Sequence, residues 1–215
     1  MPNTNVPMNP LDREIREKQA IRVEVRRRRV ALPDKESLSR AIWTRLTALP
    51  EYRQARRVVL YMDHRSEVRT RPFVPEVWLS GKEVIVPYCE DARLSLFRLE
   101  HLDELEPGML GILEPRSHWR LTVERTVHIE AGDLMIVPGV AFDRAGGRIG
   151  QGAGYYDRLL ADAPAEVTRV GVAFECQLVE AIPQLAHDVR MHRVVTDKAV
   201  YNSPDYRAQL SIPLT

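Results

Sequence analysis

The chain has 215 residues, of which 44% are hydrophobic and 28% are charged, and its formal net charge at pH 7 is only +1. This composition is typical of a globular protein with a sizeable core, and the near-neutral charge argues against binding to nucleic acid or membranes through bulk charge. No apolar run approaches the roughly 18 residues that a membrane span requires. Cys89 and Cys176 lie far apart and outside any Cys-x-x-Cys pair, so we expect free thiols and a cytoplasmic protein.

The N-terminal segment 1–10 is rich in Asn and Pro and is predicted to be a disordered tail, which leaves 11–215 as a single domain. The first half of the domain is predicted to contain, in order, a helix at Asp12–Val30, a second helix that starts at Pro33–Glu36 and carries its apolar face at Ala41–Leu49, a buried strand at Arg57–Met62, a polar loop at Asp63–Thr70, a short helix at Pro72–Leu79, and strands at Glu83–Val86 and Leu94–Leu99. The second half is predicted to contain a loop that carries Glu114-Pro115, an unassigned stretch at 117–130, a strand at Leu134–Val137, a glycine-rich loop, a helix at Tyr155–Ala163, and strands at Thr168–Phe174 and Val194–Thr196.

This alternation of short apolar strands with helices predicts an α/β fold, with α/β/α layers and a largely parallel central sheet. Ligands of such folds bind beyond the carboxyl ends of the strands. We therefore expect the loop Asp63–Thr70, the glycine-rich loop and Glu175-Cys176-Gln177 to gather at one edge of the sheet.

The glycine-rich loop is the most informative part of the sequence. Gly150, Gly152 and Gly154 occupy alternate positions between an apolar strand and a helix. Glycine allows positive φ and a close approach of backbone N–H groups to an anion, so the order predicts a phosphate cradle. The loop has neither the Gly-Lys-Ser/Thr of a Walker A sequence nor the Rossmann Gly-x-Gly-x-x-Gly spacing, and a plain strand–helix connection remains the alternative on spacing alone.

Four neighbouring side chains strengthen the phosphate hypothesis. Arg148 offers a fork of donors that matches a phosphate group, and Asp157 is a ligand of the kind that holds Mg²⁺ beside nucleotide phosphates. Tyr155 and Tyr156 provide flat surfaces for a ring-shaped ligand.

Taken together, these residues resemble the 5-formyltetrahydrofolate cyclo-ligase family, also called methenyltetrahydrofolate synthetases. The resemblance is carried by Pro138-Gly139-Val140-Ala141-Phe142-Asp143 and by Arg148-Ile149-Gly150-Gln151-Gly152-Ala153-Gly154-Tyr155-Tyr156-Asp157. Shorter matches, in the same order as in the family, are Lys18-x-x-x-Arg22, Glu67-x-x-Thr70, Glu114-Pro115, Phe174-Glu175-Cys176-Gln177, His187-Asp188 and Val195-Thr196. Together they extend from about Lys18 to Thr196.

The resemblance implies a reaction and its cofactors. Members of the family use ATP and Mg²⁺ to close 5-formyltetrahydrofolate into 5,10-methenyltetrahydrofolate, with release of ADP and phosphate. The formyl oxygen takes the γ-phosphoryl group, and N10 then attacks the activated carbon. We therefore expect small-molecule substrates, no nucleic-acid or membrane partner, and a monomer.

The resemblance also implies roles for individual residues. The expected ATP contacts are Lys18, Arg22, Arg148, Ile149, Gly150, Gln151, Gly152, Ala153, Gly154 and Tyr156. Folate is expected at Met62, Glu67 and Tyr155, Mg²⁺ at Asp157 and Asp188, and the catalytic roles fall to Arg148 and Tyr155.

Each residue also has a structural alternative when it is considered without the resemblance. Lys18 and Arg22 are one helical turn apart and point the same way, which also describes a solvated helix face. Asp157 could cap or salt-bridge a helix, and Asp188 and Glu67 could be ordinary loop residues. Met62, at the end of a strand, could be a core residue.

Several functional alternatives remain open. Gln151 and Ala153 stand where some family members carry basic residues, and His192 stands where relatives often have a second Asp. These departures allow a non-catalytic relative that binds nucleotide or folate. A sugar-phosphate isomerase has only fold-level analogy behind it, and the basic run Arg26–Arg29 allows nucleic-acid binding.

Overall fold

The computed structural model describes residues 9–108 and 111–206. The predicted tail lies almost wholly in 1–8, outside the described residues. Helix α1 spans Pro10–Ala31, α2 Lys35–Thr47, α3 Pro50–Gln54, α4 Val74–Leu79, α5 Ser117–Arg120 and α6 Tyr155–Ala161. Strand β1 spans Arg57–Leu60, β2 Glu83–Glu90, β3 Arg93–Leu99, β4 Leu105–Pro107, β5 Leu113–Pro115, β6 Thr126–Val127, β7 Leu134–Val137, β8 Ala141–Asp143, β9 Arg148–Ile149, β10 Thr168–Val172, β11 Leu178–Val179, β12 Arg193–Val195 and β13 Val200–Asn202.

The predicted α/β architecture with a largely parallel sheet is confirmed. An eight-stranded sheet has the order β13-β12-β10-β7-β1-β2-β3-β6. The strands from β12 to β2 run parallel, and β13, β3 and β6 add antiparallel edges. In the sheet, β2 lies on the outer side of β1, and β10 lies on the outer side of β7, so the chain moves in opposite directions after these two neighbouring strands. The sheet therefore has its topological switch point between β1 and β7, where open α/β sheets bind ligands.

Alternation along the central strands divides the core between the two faces of the sheet. Val58 and Leu60 face a cluster that includes residues of α2 and α4. Val59 faces a second cluster, which includes Leu160 of α6. Among the described residues no helix is both long enough and apolar enough to cross a membrane.

Helix α1 packs through a narrow stripe, as its sparse apolar residues predict. Its Asn9 cap accepts a hydrogen bond from the Leu11 amide at 3.2 Å. Val25 is buried in a small cluster with Val140, Ile149 and Ile182. This contact lays the helix across the residues that follow β7.

The predicted path into the glycine-rich loop is wrong in one respect. Strand β7 does not lead directly into the loop, because the β8–β9 hairpin intervenes and pairs with β11 in a three-stranded sheet. Buried Asp143 holds this hairpin by accepting hydrogen bonds from the amides of Ala145, Gly147 and Ile182 at 2.9, 2.7 and 3.0 Å. The hairpin moves the loop outward from the sheet edge.

Other differences concern element boundaries. Glu114-Pro115 is not in a loop but in β5, which pairs with β4. Strand β2 continues four residues beyond Val86, because it is paired with β3 from Val84 to Glu90. The unassigned stretch 117–130 holds α5, a single 3-10 turn and β6, and β13 follows the last predicted strand. Both thiols, Cys89 and Cys176, are free as expected.

Candidate active site

A cavity of about 220 Å³ lies beyond the carboxyl ends of β1, β7 and β2. One wall comes from the segment after β1, and the opposite wall comes from the glycine-rich loop and the start of α6. The lining residues that were assigned a site role from the sequence are Met62, Glu67, Arg148, Gly150, Gln151, Ala153, Gly154, Tyr155, Tyr156 and Asp157. The fold thus brings the predicted folate residues and most of the predicted nucleotide residues to one place.

The glycine-rich loop has the backbone geometry that its sequence predicts. Gly152 and Gly154 have φ angles of +109° and +70°, a region that side-chain-bearing residues rarely adopt. Gln151, Gly152 and Ala153 are exposed. Among the described residues, none accepts a backbone hydrogen bond from the amides of 150–154. These N–H groups are therefore available to an anion.

Helix α1 supplies two cations to the outer side of this loop. The guanidinium Nε of Arg22 donates to the Gly150 carbonyl oxygen at 3.0 Å. Lys18, one turn earlier, is 6% exposed, and its ammonium group contacts the Asp188 carboxylate. Lys18 is not on a solvated helix face, so that alternative is wrong for it.

Arg148 and Asp157 form an ion pair in the cavity wall. The Arg148 side chain is only 2% exposed, and its Nη1 also donates to the Pro138 carbonyl oxygen at 3.3 Å. Its Nε is buried and has no hydrogen-bond partner within the described structure. Asp157 therefore forms the salt bridge that its structural alternative predicts, and Arg148 retains a donor without a partner.

The two predicted metal ligands, Asp157 and Asp188, both act electrostatically on Arg22. Burial lowers the pKa of its guanidinium, the charge of Arg26 lowers it further, and the carboxylates of Asp157 and Asp188 oppose both effects. No group of three or more His, Cys, Asp or Glu side chains in the described ranges could hold a metal alone. Two carboxylates suit Mg²⁺ only if a ligand such as a triphosphate supplies further oxygens.

Glu67 faces the cavity from the segment after β1. It is half-buried rather than an exposed loop residue, so that alternative is wrong. Its Oε2 accepts one hydrogen bond, from the His64 amide at 3.1 Å. Burial raises the pKa of the carboxyl group, while the His64 amide and the charge of Arg29 oppose the increase. The carboxylate retains unused acceptor capacity next to an apolar cavity.

Aromatic and thioether groups complete the walls around Glu67. Met62 is 3% exposed, so it is both a core residue and a cavity residue. Burial raises the pKa of the Tyr156 hydroxyl well above its ordinary value, and the Arg148 guanidinium lies 5.8 Å from the centre of the ring. Tyr155 is half-buried at the cavity, with the Arg158 guanidinium 5.2 Å from its ring centre.

Some predicted residues do not line the cavity. The Ile149 side chain packs in the α1 cluster, which leaves only its backbone for a nucleotide. Gly152, Lys18, Arg22 and Asp188 lie on the outer side of the loop or beside it.

His192 accepts a hydrogen bond from the Arg169 amide at 3.1 Å and stacks on Tyr206 at 4.8 Å. Burial, followed by the charge of Arg169, lowers its pKa to about 4. His192 therefore has a structural role at the sheet edge.

The cavity has a third wall that was not predicted, although its Glu114 belongs to one of the family-like motifs. This wall consists of Tyr88 and Cys89 at the end of β2, Leu94 of β3, and Ile112 and Glu114 around β5. The length of β2 has no clear local signal, because Pro87 and Glu90 are residue types depleted in strands, and the pairing with β3 extends the strand past Val86. The tail element Phe174–Gln177 is structural, because buried Gln177 donates to the carbonyl oxygens of Gly139 and Val140, each at 3.0 Å.

Comparison with known proteins agrees with this geometry. The model of the 5-formyltetrahydrofolate cyclo-ligase family matches residues 9–197. The 5-formyltetrahydrofolate cyclo-ligase of Escherichia coli (strain K12) is 31% identical over 183 residues, which cover 83% of this chain and 98% of the relative. The NMR structure of Aquifex aeolicus 5,10-methenyltetrahydrofolate synthetase superposes with a TM-score of 0.75 at 36% identity, covering 92% of this chain and 96% of that one.

A third match supports the fold alone. The 5,10-methenyltetrahydrofolate synthetase of Mycoplasma pneumoniae superposes with a TM-score of 0.66 at 21% identity, covering 84% of this chain and 99% of that one. The family model spans the cavity walls, the glycine-rich loop and both cationic positions of α1. The chain therefore belongs to the 5-formyltetrahydrofolate cyclo-ligase family.

Proposed function

We propose that this chain is an ATP-dependent cyclo-ligase that converts 5-formyltetrahydrofolate into 5,10-methenyltetrahydrofolate, releasing ADP and phosphate. The single observation that carries the proposal is the cavity, in which Glu67 faces the glycine-rich loop across an apolar floor. Family membership supplies the reaction, and the two opposed walls supply a place for each substrate.

The folate ring binds on the Glu67 side. The aminopyrimidine edge of a pterin carries adjacent N–H donors, and a carboxylate accepts two such bonds. Glu67 has only the His64 amide as a donor, so it can accept them. Met62 and Tyr155 contact the ring faces, and the apolar cavity excludes water from the formyl group.

The nucleotide binds on the glycine-loop side. The amides of 150–154 surround the terminal phosphates, and Tyr156 supports the loop from the core. Lys18, Arg22 and Arg148 neutralise phosphate charge. Lys18 and Arg148 exchange their carboxylate partners for phosphate oxygens when the nucleotide arrives.

Asp157 and Asp188 then become available for Mg²⁺. Their hard carboxylate oxygens fit this cation, and each carboxylate is paired with a cationic side chain that a phosphate can take over. Bound Mg²⁺ would supply additional neutralisation of phosphate charge. Because each cation exchanges one anionic partner for another and Mg²⁺ takes the freed carboxylates, the net charge of the site changes little when the ligands bind.

The chemistry requires positioning more than acid–base catalysis. A formamide oxygen is a poor nucleophile and must lie in line with the γ-phosphorus. Its bond to phosphorus forms while the bond to the β-phosphate oxygen breaks. N10 then bonds to the activated carbon and loses its proton, and the C–O bond breaks to release phosphate. Arg148 stabilises the charge at the transferred group, and Tyr155 holds the ring beside it.

One chain suffices for this arrangement, because every assigned residue belongs to the chain described here, and we propose a monomer. Nucleic-acid binding through the basic run has little support. Arg27 and Arg28 bond Glu24, Arg29 is buried, and Arg26 donates to the Gln151 side-chain oxygen at 2.7 Å.

The direct test mixes purified protein with 5-formyltetrahydrofolate, MgCl₂ and ATP and follows methenyl-folate absorbance. Product should form only with ATP, and oxygen-18 in the formyl group should appear in the released phosphate. Tight nucleotide binding without product would instead establish a non-catalytic relative. Unlabelled phosphate would contradict transfer to the formyl oxygen.

A further inference from the structure

Arg29, in the last turn of α1, is a buried cation that none of the roles above uses. It is only 6% exposed. No carboxylate of the described chain lies within salt-bridge distance of its guanidinium, in contrast to Arg27 and Arg28, which bond Glu24. A buried charge without a direct counter-ion is costly, so its presence calls for a specific use.

The guanidinium connects two walls of the cavity. Its Nε donates to the Ser66 hydroxyl oxygen at 3.1 Å, and its Nη1 donates to the Gly139 carbonyl oxygen at 3.4 Å. Ser66 immediately precedes Glu67 in the segment after β1, and Gly139 belongs to the segment after β7. Arg29 therefore fixes the distance between these segments at the topological switch point.

Arg29 is also the permanent positive charge that acts on Glu67. The charged and titratable groups that face this carboxyl are Arg29, His64, Asp63, Tyr61 and Tyr156. Asp63 raises the pKa of Glu67, and Arg29 lowers it. His64 helps only when it is protonated, and both tyrosines have raised pKa values because they are buried, so they stay neutral. Together with the hydrogen bond from the His64 amide, the charge of Arg29 therefore offsets the loss of solvent at all accessible pH values, and Arg29 is the side chain that does so.

We propose that Arg29 is a positioning residue for the folate ring, which holds the Ser66–Glu67 segment against Gly139 and supplies the positive charge that favours the carboxylate form of Glu67. The inference rests on the proposed function, because it assumes that Glu67 accepts N–H bonds from the pterin. It assigns Arg29 to the folate half of the reaction, although α1 otherwise serves the nucleotide.

The two parts of this role can be separated by substitution. Arg29→Gln removes the charge, Arg29→Lys keeps it without the forked geometry, and Ser66→Ala removes only the Nε acceptor. Arg28→Gln is the matched control, since Arg28 is the preceding residue of the same helix and its side chain is 44% exposed.

The experiment measures equilibrium binding of 5-formyltetrahydrofolate, without ATP, as a function of pH, together with binding of a non-hydrolysable ATP analogue. Arg29→Gln should move the acid inflection of folate binding upward by about one pH unit and weaken binding about tenfold near that inflection. Arg29→Lys should keep the wild-type inflection with a smaller loss. Ser66→Ala should weaken binding a few-fold (roughly 2–5) at every pH. Binding of the ATP analogue should stay within about twofold, and Arg28→Gln should match wild type throughout.

The proposal is overturned if Arg29→Gln keeps the wild-type inflection, or if it weakens folate and nucleotide binding equally. Should Arg29→Gln fail to fold by circular dichroism, Arg29→Lys and Ser66→Ala decide. A wild-type inflection in both, with weaker folate binding in Ser66→Ala, supports the role, and unchanged folate binding in Ser66→Ala contradicts it. A wild-type protein that binds no 5-formyltetrahydrofolate at all would instead contradict the proposed function.

Discussion

Glu104 and Glu67 are two glutamates withdrawn from solvent, and the protein treats them in opposite ways. Glu104 is 4% exposed and accepts hydrogen bonds from the amides of Glu100 and His101 at 3.0 and 3.2 Å and from Arg125 Nη2 at 2.6 Å. Burial alone would raise its pKa, but these three donors outweigh burial and lower it. Glu67 has one donor, and burial raises its pKa.

The difference separates a structural carboxylate from a binding carboxylate. Three donors of its own chain converge on Oε2 of Glu104, and Arg125 is further fixed by the Arg98 carbonyl oxygen at 2.7 Å. Glu67 has acceptor sites left over and a cavity beside it. The protein thus retains an unfavourable charge where a ligand can satisfy it, as functional sites commonly do.

The largest expected effect is at Asp157, another carboxylate assigned to ligand binding, whose partner Arg148 can exchange it for a phosphate. Asp157→Asn should lower kcat at least about a hundredfold, because it removes charge where the phosphates and Mg²⁺ bind. The free energy of unfolding should also fall, because Arg148, whose side chain is 2% exposed, loses its charged partner. The control is Asp162→Asn at the C-terminal cap of the same helix, whose side chain is 72% exposed and 3.8 Å from Arg93. Steady-state kinetics at saturating and limiting Mg²⁺ test this, and wild-type rates for both variants would remove Asp157 from the site.

At the structural carboxylate the effect should appear in stability. Glu104→Gln should lower the free energy of unfolding by about 1–3 kcal/mol, because it leaves the buried Arg125 with only the half-exposed carboxylate of Glu100 as a charged partner. Urea denaturation measures the loss. The kcat of the folded variant should equal that of wild type, and a selective loss of folate affinity in this variant would break the distinction between the two glutamates.

At Glu67, the binding carboxylate, the effect should appear in ligand affinity and not as a loss of stability. Glu67→Gln should raise the KM for 5-formyltetrahydrofolate about tenfold. A neutral amide has only one acceptor oxygen, and its hydrogen bond from a pterin N–H group is weaker than that of a carboxylate. The KM for ATP should stay within about twofold. The melting temperature of the ligand-free variant should equal or exceed that of wild type, since an unfavourably buried charge has been removed. A destabilised variant with parallel changes in both KM values would contradict the assignment.

The smallest effect is the pH dependence of stability. The lowered pKa of Glu104 contributes stability that is present above its unfolded-state pKa and is lost as the pH falls through the folded-state value. The raised pKa of Glu67 has the opposite sign, so its penalty is absent in acid and grows as the pH rises through the folded-state value. Urea titrations of Glu104→Gln and Glu67→Gln from acid to neutral pH should therefore diverge from wild type in opposite directions.

The strands of the core could be predicted from the sequence because their apolar runs correspond to the residues that the sheet buries. Strand β7 was predicted with its observed boundaries, and the glycine-rich loop has positive φ at Gly152 and Gly154. The order of the motifs, rather than any one of them, indicated the family. The carboxyl-end rule for α/β sheets then placed the segment after β1 against the loop.

Long-range contacts could not be predicted from one sequence. Nothing local indicates that Lys18 contacts Asp188, 170 positions away, or that Arg29 reaches Ser66 and Gly139. The β8–β9 hairpin was missed because its strands are too short for a periodic signal. The third wall was missed because the alternation of β2 was followed only as far as Val86.

The most direct measurement is a crystal structure of the protein with 5-formyltetrahydrofolate and a non-hydrolysable ATP analogue bound together. We expect pterin N–H groups on the Glu67 carboxylate, terminal phosphates on the amides of 150–154, and Arg148 turned from Asp157 toward phosphate. A pterin that leaves Glu67 uncontacted, or a triphosphate outside the glycine-rich loop with Arg148 still paired to Asp157, would contradict it.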